Sequence, residues 1–292
     1  GRKTKVGRKL LRFPPTRFLK NTDLCVNFVF LPDFVYFCRT NCPLENVMNE
    51  YACLKPEQDP MGTAISDYFR TGRAARLRVL SSMFDEDELP VVTLFRDETA
   101  MPEIERKALE LASGRVLDIG AGAGCHALAL QQRGFSVTAI DVSPLSVETE
   151  RLRGVVDARC VDFFDPSFVG SYDTLLLLMN GIGIVGRLVR LPEFFMRAKQ
   201  LLTTGGQILL DSSDLRYVYE DEDGSWDIDL NAAYYGEVDF QMKYRQITGV
   251  PFDWLYVDFD TLAGYATENG FRAEKMADGQ HCDYLARLTL VR

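Results

Sequence analysis

The stretch VLDIGAGAGCHA, residues 116–127, governs how the rest of the chain is read. An apolar strand runs into a turn built on Gly120, Gly122 and Gly124, and a helix-forming run follows. Glycine lets the backbone turn tightly and lets a ligand lie against bare N–H groups at a helix start. Asp118 stands in the strand just before the turn.

Downstream of this turn, helix and strand alternate. The spacing predicts a strand over Val116–Gly120, a helix from Gly124 to Gln132 closed by Gly134, and a strand over Val137–Asp141. A helix follows from Pro144 to about Arg153, then strands Ala158–Asp162 and Thr174–Asn180. Thr174–Asn180 is apolar throughout its centre, as a strand buried on both faces should be. Leu191, Phe194, Phe195, Ala198, Leu201 and Leu202 mark one helical stripe; Gly205 and Gly206 stop it, and Ile208–Asp211 is the fifth strand. The alternation implies an α/β, Rossmann-like sheet of seven strands, mostly parallel with an antiparallel last strand and with helices on both faces.

Upstream, Met61 to Phe84 reads as one or two helices interrupted near Gly72, and Pro102 to Ser113 as another. Beyond Asp214 comes an acidic loop, Glu220–Asp229. Two alternating segments follow, Val238–Arg245 and Trp254–Asp258, which read as an inserted β-hairpin. Leu262, Tyr265 and Ala266 mark a helix closed by Gly270. Phe271–Met276 and Tyr284–Val291 lie too close together for a helical crossover, so they are expected to be antiparallel.

Three consecutive strands end in a useful polar residue. Ligands bind open parallel sheets at the carboxyl ends of the strands. Asp141, 21 residues after Gly120, can accept from both hydroxyls of a ribose. Asp162, a further 21 residues on, can accept from an exocyclic amine such as that of adenine. A nicotinamide dinucleotide fingerprint would require glycine at position 125, where this chain has Cys125.

Residues 115–214 resemble the class I S-adenosylmethionine-dependent methyltransferases. The resemblance is carried by the LDIGAGAG turn, Asp141 in AIDVSP, Asp162 in CVDFFD, and LLTTGGQILL before strand five, with YLARLTLV as the closing antiparallel strand. From DPMGTAISDYF through SSMFDEDELP to the C-terminus, the chain resembles a bacterial branch of these enzymes. The resemblance implies S-adenosyl-L-methionine as cofactor. Gly120–Gly124 would face its amino-acid end, Asp118 would support that loop, Asp141 would hold the ribose, and Asp162 with the Phe163 backbone would hold the adenine. Asn180 would sit where strand four meets the sulfonium and the acceptor. MNGIG replaces the Asn- or Asp-Pro-Pro-aromatic pattern of the amide- and base-modifying subgroup, which speaks against that chemistry.

The implied reaction is in-line methyl transfer to a small-molecule acceptor. The alternatives are a cofactor-binding homologue acting through protein contacts, or a protein or RNA methyltransferase. No catalytic base is identified; Asn180 and Tyr235 are the acceptor-side candidates. The insertion, with Tyr234, Tyr235, Phe240 and Tyr244 among Glu237 and Asp239, and the helix holding Tyr68 are lid candidates. His126 reads as a packing or capping residue and His281 as surface. The Asp211–Asp214 pair lacks the further oxygen ligands of a metal site, so no metal is expected.

Composition narrows the partners. The 292 residues are 47% hydrophobic with a net charge of −9, a balance opposite to that of phosphate-backbone binders. The longest apolar run, near Leu175–Met179, is far short of a membrane helix. Residues 1–47 carry 9 Lys and Arg against 3 Asp and Glu and are expected to be a poorly ordered basic extension. The apolar stretch Cys25–Cys38 is broken by Asn27, Pro32 and Asp33 and does not read as an export signal. Residues 48–114 are expected as an N-terminal helical segment covering the site. Residues 115–292 are expected as the cofactor-binding domain, with an insertion at about 215–258. Seven cysteines without knuckle spacing read as free thiols of a cytoplasmic protein, monomeric or homodimeric.

Overall fold

Alternate residues of the central strands feed two separate cores, and this division organises the fold. The computed structural model describes residues 51, 53–220, 226 and 233–291, all within the unit Leu44–Arg292. The expectation for residues 1–47 lies outside the described residues, as does most of the acidic loop.

In chain order the elements are α1 (Pro60–Thr71), β1 (Leu77–Leu80), β2 (Asp87–Glu88), α2 (Glu103–Leu111), β3 (Arg115–Ile119), α3 (Cys125–Gln132), β4 (Ser136–Asp141), α4 (Pro144–Arg153) and β5 (Asp157–Cys160). They continue with β6 (Tyr172–Leu177), α5 (Leu191–Leu201), β7 (Leu202–Ser213), β8 (Glu237–Tyr244), β9 (Ile247–Thr248), β10 (Phe252–Leu255), α6 (Phe259–Glu268), β11 (Phe271–Asp278) and β12 (Asp283–Leu290). The seven-stranded sheet has the order β11-β12-β7-β6-β3-β4-β5. Its strands from β7 to β5 are parallel, while β12 runs antiparallel to both β7 and β11. The order switches between β3 and β6, so the crevice for a ligand opens at their carboxyl ends.

Strand periodicity explains the two cores. Leu117, Ile119, Leu175, Leu177, Ile208 and Leu210 share one face of the sheet with Phe194 and Phe195 of α5 and Leu262 of α6. Val116, Leu176, Leu178 and Leu209 share the other with Ile104 of α2, Leu130 of α3 and Val147 of α4. Phe194 is fully buried, so its truncation to alanine should cost about 3–5 kcal/mol.

The helix expected to continue beyond Gly72 is instead a strand. Gly72 closes α1 in the left-handed conformation, and Leu77–Leu80 pairs antiparallel with β8 on one side and β2 on the other. A second sheet results, ordered β10-β8-β1-β2 with β9 attached to β8. It unites part of the N-terminal segment with the inserted strands between β7 and α6. Ile65 of α1, Leu77, Tyr244 and Ala123 of the glycine turn form a third cluster, which fastens this sheet beside the turn. Two strand ends also fall short of expectation: β5 stops at Cys160 and β6 at Leu177, leaving Asp162 and Asn180 in the loops beyond.

Candidate functional site

A single cleft of about 1420 Å³ lies between the carboxyl ends of β3–β6 and the second sheet. Asp118, Gly120, Gly122, Asp141, Asp162 and Phe163 line one end. Gly124 lies just beyond, at the start of α3. Its φ of +79° and a would-be Cβ only 2.9 Å from Val155 Cγ2 leave room for no side chain.

Most of the turn's N–H groups are not bare, contrary to the expectation from sequence. Gly120 N and Ala121 N both donate to Ile140 O (2.9 and 3.1 Å), and Gly124 N donates to Ala121 O. Gly122 N donates to Asp141 Oδ2 at 2.9 Å. At its glycines the loop therefore offers a ligand chiefly a surface without side chains: a Cβ on Gly120 would meet nothing within 4 Å. The same bonds fix Asp141, whose Oδ1 also accepts from Ser143 N at 2.8 Å. Burial pushes the Asp141 carboxyl up to about 6, against those two N–H groups.

Asp118 is buried, and its Oδ2 finds no hydrogen-bond partner among the described residues. Burial raises its pKa, partly opposed by His126. Asp162 is likewise raised by burial; its Oδ1 accepts from Phe164 N at 2.8 Å, with Arg190 near enough to favour its charge. The Phe163 N–H forms no hydrogen bond within the described residues, while its carbonyl accepts from Arg197 Nε at 2.8 Å.

His126 does pack beneath the turn, as its position on the first helix suggested. Its Nε2 lies 2.8 Å from Glu105 Oε2, and Glu105 also pairs with Arg96. Burial opposes the His126 cation, but Cys125, Glu105 and Asp118 outweigh it and hold its pKa above the ordinary value. This buried network ties α2 to the start of α3.

Two expected site residues are engaged elsewhere. Asn180 Nδ2 donates to Leu255 O and its Oδ1 accepts from Ser213 N, both at 3.2 Å. The side chain thereby splices the end of β6 to β10 and β7, and its neighbours Met179 and Gly181 face the cleft instead. Tyr235 does not line the cleft. Its hydroxyl lies 2.9 Å from Asp214 Oδ1 and 3.2 Å from Asp258 Oδ2. Burial, with Tyr234 and Asp214, drives its pKa upward. Asp211 and Asp214 also part company: Asp211 Oδ1 accepts from Gly181 N, while Asp214 pairs with Arg216. Of the lid candidates, Phe240 lines the cleft and Tyr68, Tyr234 and Tyr244 do not.

Other lining residues were not anticipated. Asp59 is fully buried, caps α1 through Gly62 N and bonds Ser143 Oγ at 2.5 Å, next to Asp141. An Asp-Pro pair before a helical run was the available signal. Cys53 is joined to Cys160 across 107 residues, which corrects the free-thiol expectation for that pair. Leu54 N donates to Val142 O at 2.8 Å and draws the segment alongside the end of β4. Cys125 and Cys282 are free.

Residues 116–206 match the family model described as a methyltransferase domain. A crystallised S-adenosylmethionine-dependent methyltransferase of Bacteroides fragilis, in complex with S-adenosyl-L-homocysteine, is 58% identical. That likeness covers 84% of this chain and 100% of the other, with a TM-score of 0.79. The chain belongs to the S-adenosylmethionine-dependent methyltransferases. CcbJ of Streptomyces caelestis, 14% identical with a TM-score of 0.55 over 82% of this chain and 100% of its own, shares the fold. A ubiquinone biosynthesis O-methyltransferase of Xanthomonas oryzae pv. oryzae is 42% identical over 112 residues, 36% of this methyltransferase. The match spans about half the length of that curated relative, 45%. No helix among the described residues of the methyltransferase is long and apolar enough to cross a membrane.

Proposed function

We propose that this methyltransferase acts on a small organic acceptor held against the second sheet, with the cofactor at the glycine-turn end of the same cleft. The cleft's size is the observation that carries this proposal. At about 1420 Å³ it exceeds the roughly 300–1,000 Å³ of a single-ligand site, so it accommodates a nucleoside cofactor and a second small molecule together.

The residues at the turn fit the cofactor. Asp141, held by two backbone N–H groups, retains lone pairs for both ribose hydroxyls. Asp162 accepts from the adenine amine, and the Phe163 N–H is available to a ring nitrogen. The orphaned Oδ2 of Asp118 is matched to the cofactor's ammonium group, a cation that would satisfy it. The open face of Gly120 and Gly122 allows close approach of the methionine portion. Bound S-adenosylmethionine supplies a methyl group on sulfonium, already activated for displacement.

The chain's own contribution is to hold, align and dry the reactants. Orientation of this kind can be worth roughly 7–11 kcal/mol. Phe240, Met242, Phe252 and Trp254 supply an apolar wall that excludes water from the acceptor end. Asn180, spliced into the backbone behind this end, positions the Met179–Gly181 turn rather than touching the acceptor.

The test is incubation of the protein with a metabolite extract and methyl-labelled S-adenosylmethionine. Label is expected in the dialysable fraction, and the labelled compound identifies the acceptor. Label confined to protein or RNA would overturn the small-molecule assignment.

A further inference from the structure

The acceptor end of the cleft has a definite chemical character. Cross-strand register sets its wall: Phe240 of β8 faces Phe252 of β10, and Met242 of β8 faces Val79 of β1, which in turn faces Asp87 of β2. Directly paired residues lie on one side of a sheet, so the four aromatic and aliphatic partners and the Asp87 carboxylate share a face. Phe240, Phe252, Trp254 and Tyr256 form a continuous set of rings. Phe240 is 6.2 Å from Phe252 and 6.4 Å from Tyr256, and Phe252 is 5.9 Å from Trp254. All four are only half-buried and all line the cleft.

The indole is seated by an absence. A Cβ on Gly183 would stand 2.0 Å from Trp254 Cε2 and Nε1, so only glycine lets the ring lie against the turn after β6.

The charge at this end is one-sided. Five acids line it, Asp85 to Glu88 and Asp253, with no Lys or Arg among the lining residues there; Arg190 belongs to the Asp162 end. Glu86 and Glu88 pair with Arg76 and Arg78, and Asp253 pairs with Arg187. Asp85 and Asp87 form no ion pair among the described residues. Burial, with Tyr217 and Asp87, pushes the Tyr256 phenol up to about 12. Aromatic faces carry negative potential and attract cations within about 6 Å of a ring centre, worth roughly 0.5–2 kcal/mol. A carboxylate at the rim adds to that attraction and repels anions.

Resting on the small-molecule assignment above, we propose that the acceptor is an amine-bearing organic cation with an apolar body: the body lies on the Phe240–Phe252–Trp254–Tyr256 rings and the cationic group faces Asp87. A neutral molecule would gain only the apolar contact, and an anion would meet the uncompensated carboxylates.

The test is calorimetry on the protein saturated with S-adenosylhomocysteine, titrated with 2-phenylethylammonium, 2-phenylethanol and 3-phenylpropionate. These probes share a phenyl body and differ in charge. The ammonium is expected to bind about tenfold or more tightly than the alcohol, with the carboxylate weakest. Asp87→Asn should shrink the ammonium preference severalfold while leaving S-adenosylhomocysteine affinity unchanged. Equal affinities, or tighter binding of the alcohol or the carboxylate, would overturn the proposal. If Asp87→Asn folds poorly, the charge preference of the unmodified protein decides alone. Failure of S-adenosylhomocysteine itself to bind would instead bring down the function on which the proposal rests.

Discussion

Asp141 shows how one buried carboxylate links geometry to pH. With its pKa at about 6 in the free protein, it is ionised at pH 7.5 and largely protonated at pH 5. Only the ionised form can accept from two hydroxyls at full strength. Affinity for S-adenosylhomocysteine should therefore be flat above pH 7 and fall by up to about tenfold per unit below pH 6. Calorimetry at pH 5, 6 and 7.5 checks this; a flat profile would remove Asp141 from the binding site. Glu150 has the larger effect on stability. It is fully buried beneath Gly124 with neither carboxyl oxygen partnered among the described residues, and burial raises its pKa to about 9. Between about pH 4.5 and 9 the folded chain keeps a proton that the unfolded chain releases, so stability declines as pH rises through that window. At pH 7 the cost is roughly 3 kcal/mol. Glu150→Gln needs no proton to stay neutral, so its stability advantage should grow from pH 5 to pH 8 in urea titrations. Parallel curves for the two proteins would refute this.

At the scale of elements, Tyr51 and residues 53–60 wall the glycine-turn end of the cleft. Tyr51, Leu54 and Asp59 line the cleft, and the Cys53–Cys160 link holds the segment to the end of β5, two residues before Asp162. Closing a loop of that length is worth roughly 5 kcal/mol in the chain-entropy account. Cys160→Ser, or a thiol reductant, should lower Tm. It should also weaken S-adenosylhomocysteine binding at least about fivefold, because Tyr51 and Leu54 must then be ordered on binding at roughly 0.5–1.5 kcal/mol each. Thermal melts and calorimetry with and without reductant measure both, and unchanged values would show that the hydrogen bond from Leu54 to Val142 suffices.

At the scale of the molecule, what could be read from the chain was what neighbouring residues encode. The glycine turn and Asp141 each end a strand with a strong apolar pattern, and Asp162 falls at the same 21-residue spacing, so their place at the carboxyl ends of the strands was legible in the chain. The wall opposite was not. β1 lies more than 150 residues from its partner β8, and its four residues look as helical as the run before Gly72. The register that places Val79 and Asp87 in line with Met242 has no local signature. Asn180 and Tyr235 stand near the acceptor end in sequence logic. Their polar atoms are taken by Leu255, Ser213, Asp214 and Asp258, whose approach depends on the second sheet. The cleft thus has two ends with separate tasks, and a crystal structure with S-adenosylhomocysteine is the decisive measurement. The predicted result is ribose on Asp141, adenine beside Asp162 and Phe163, and the sulfur directed toward the Phe240–Trp254 wall. Ribose away from Asp141, or a sulfur turned away from the second sheet, would contradict it.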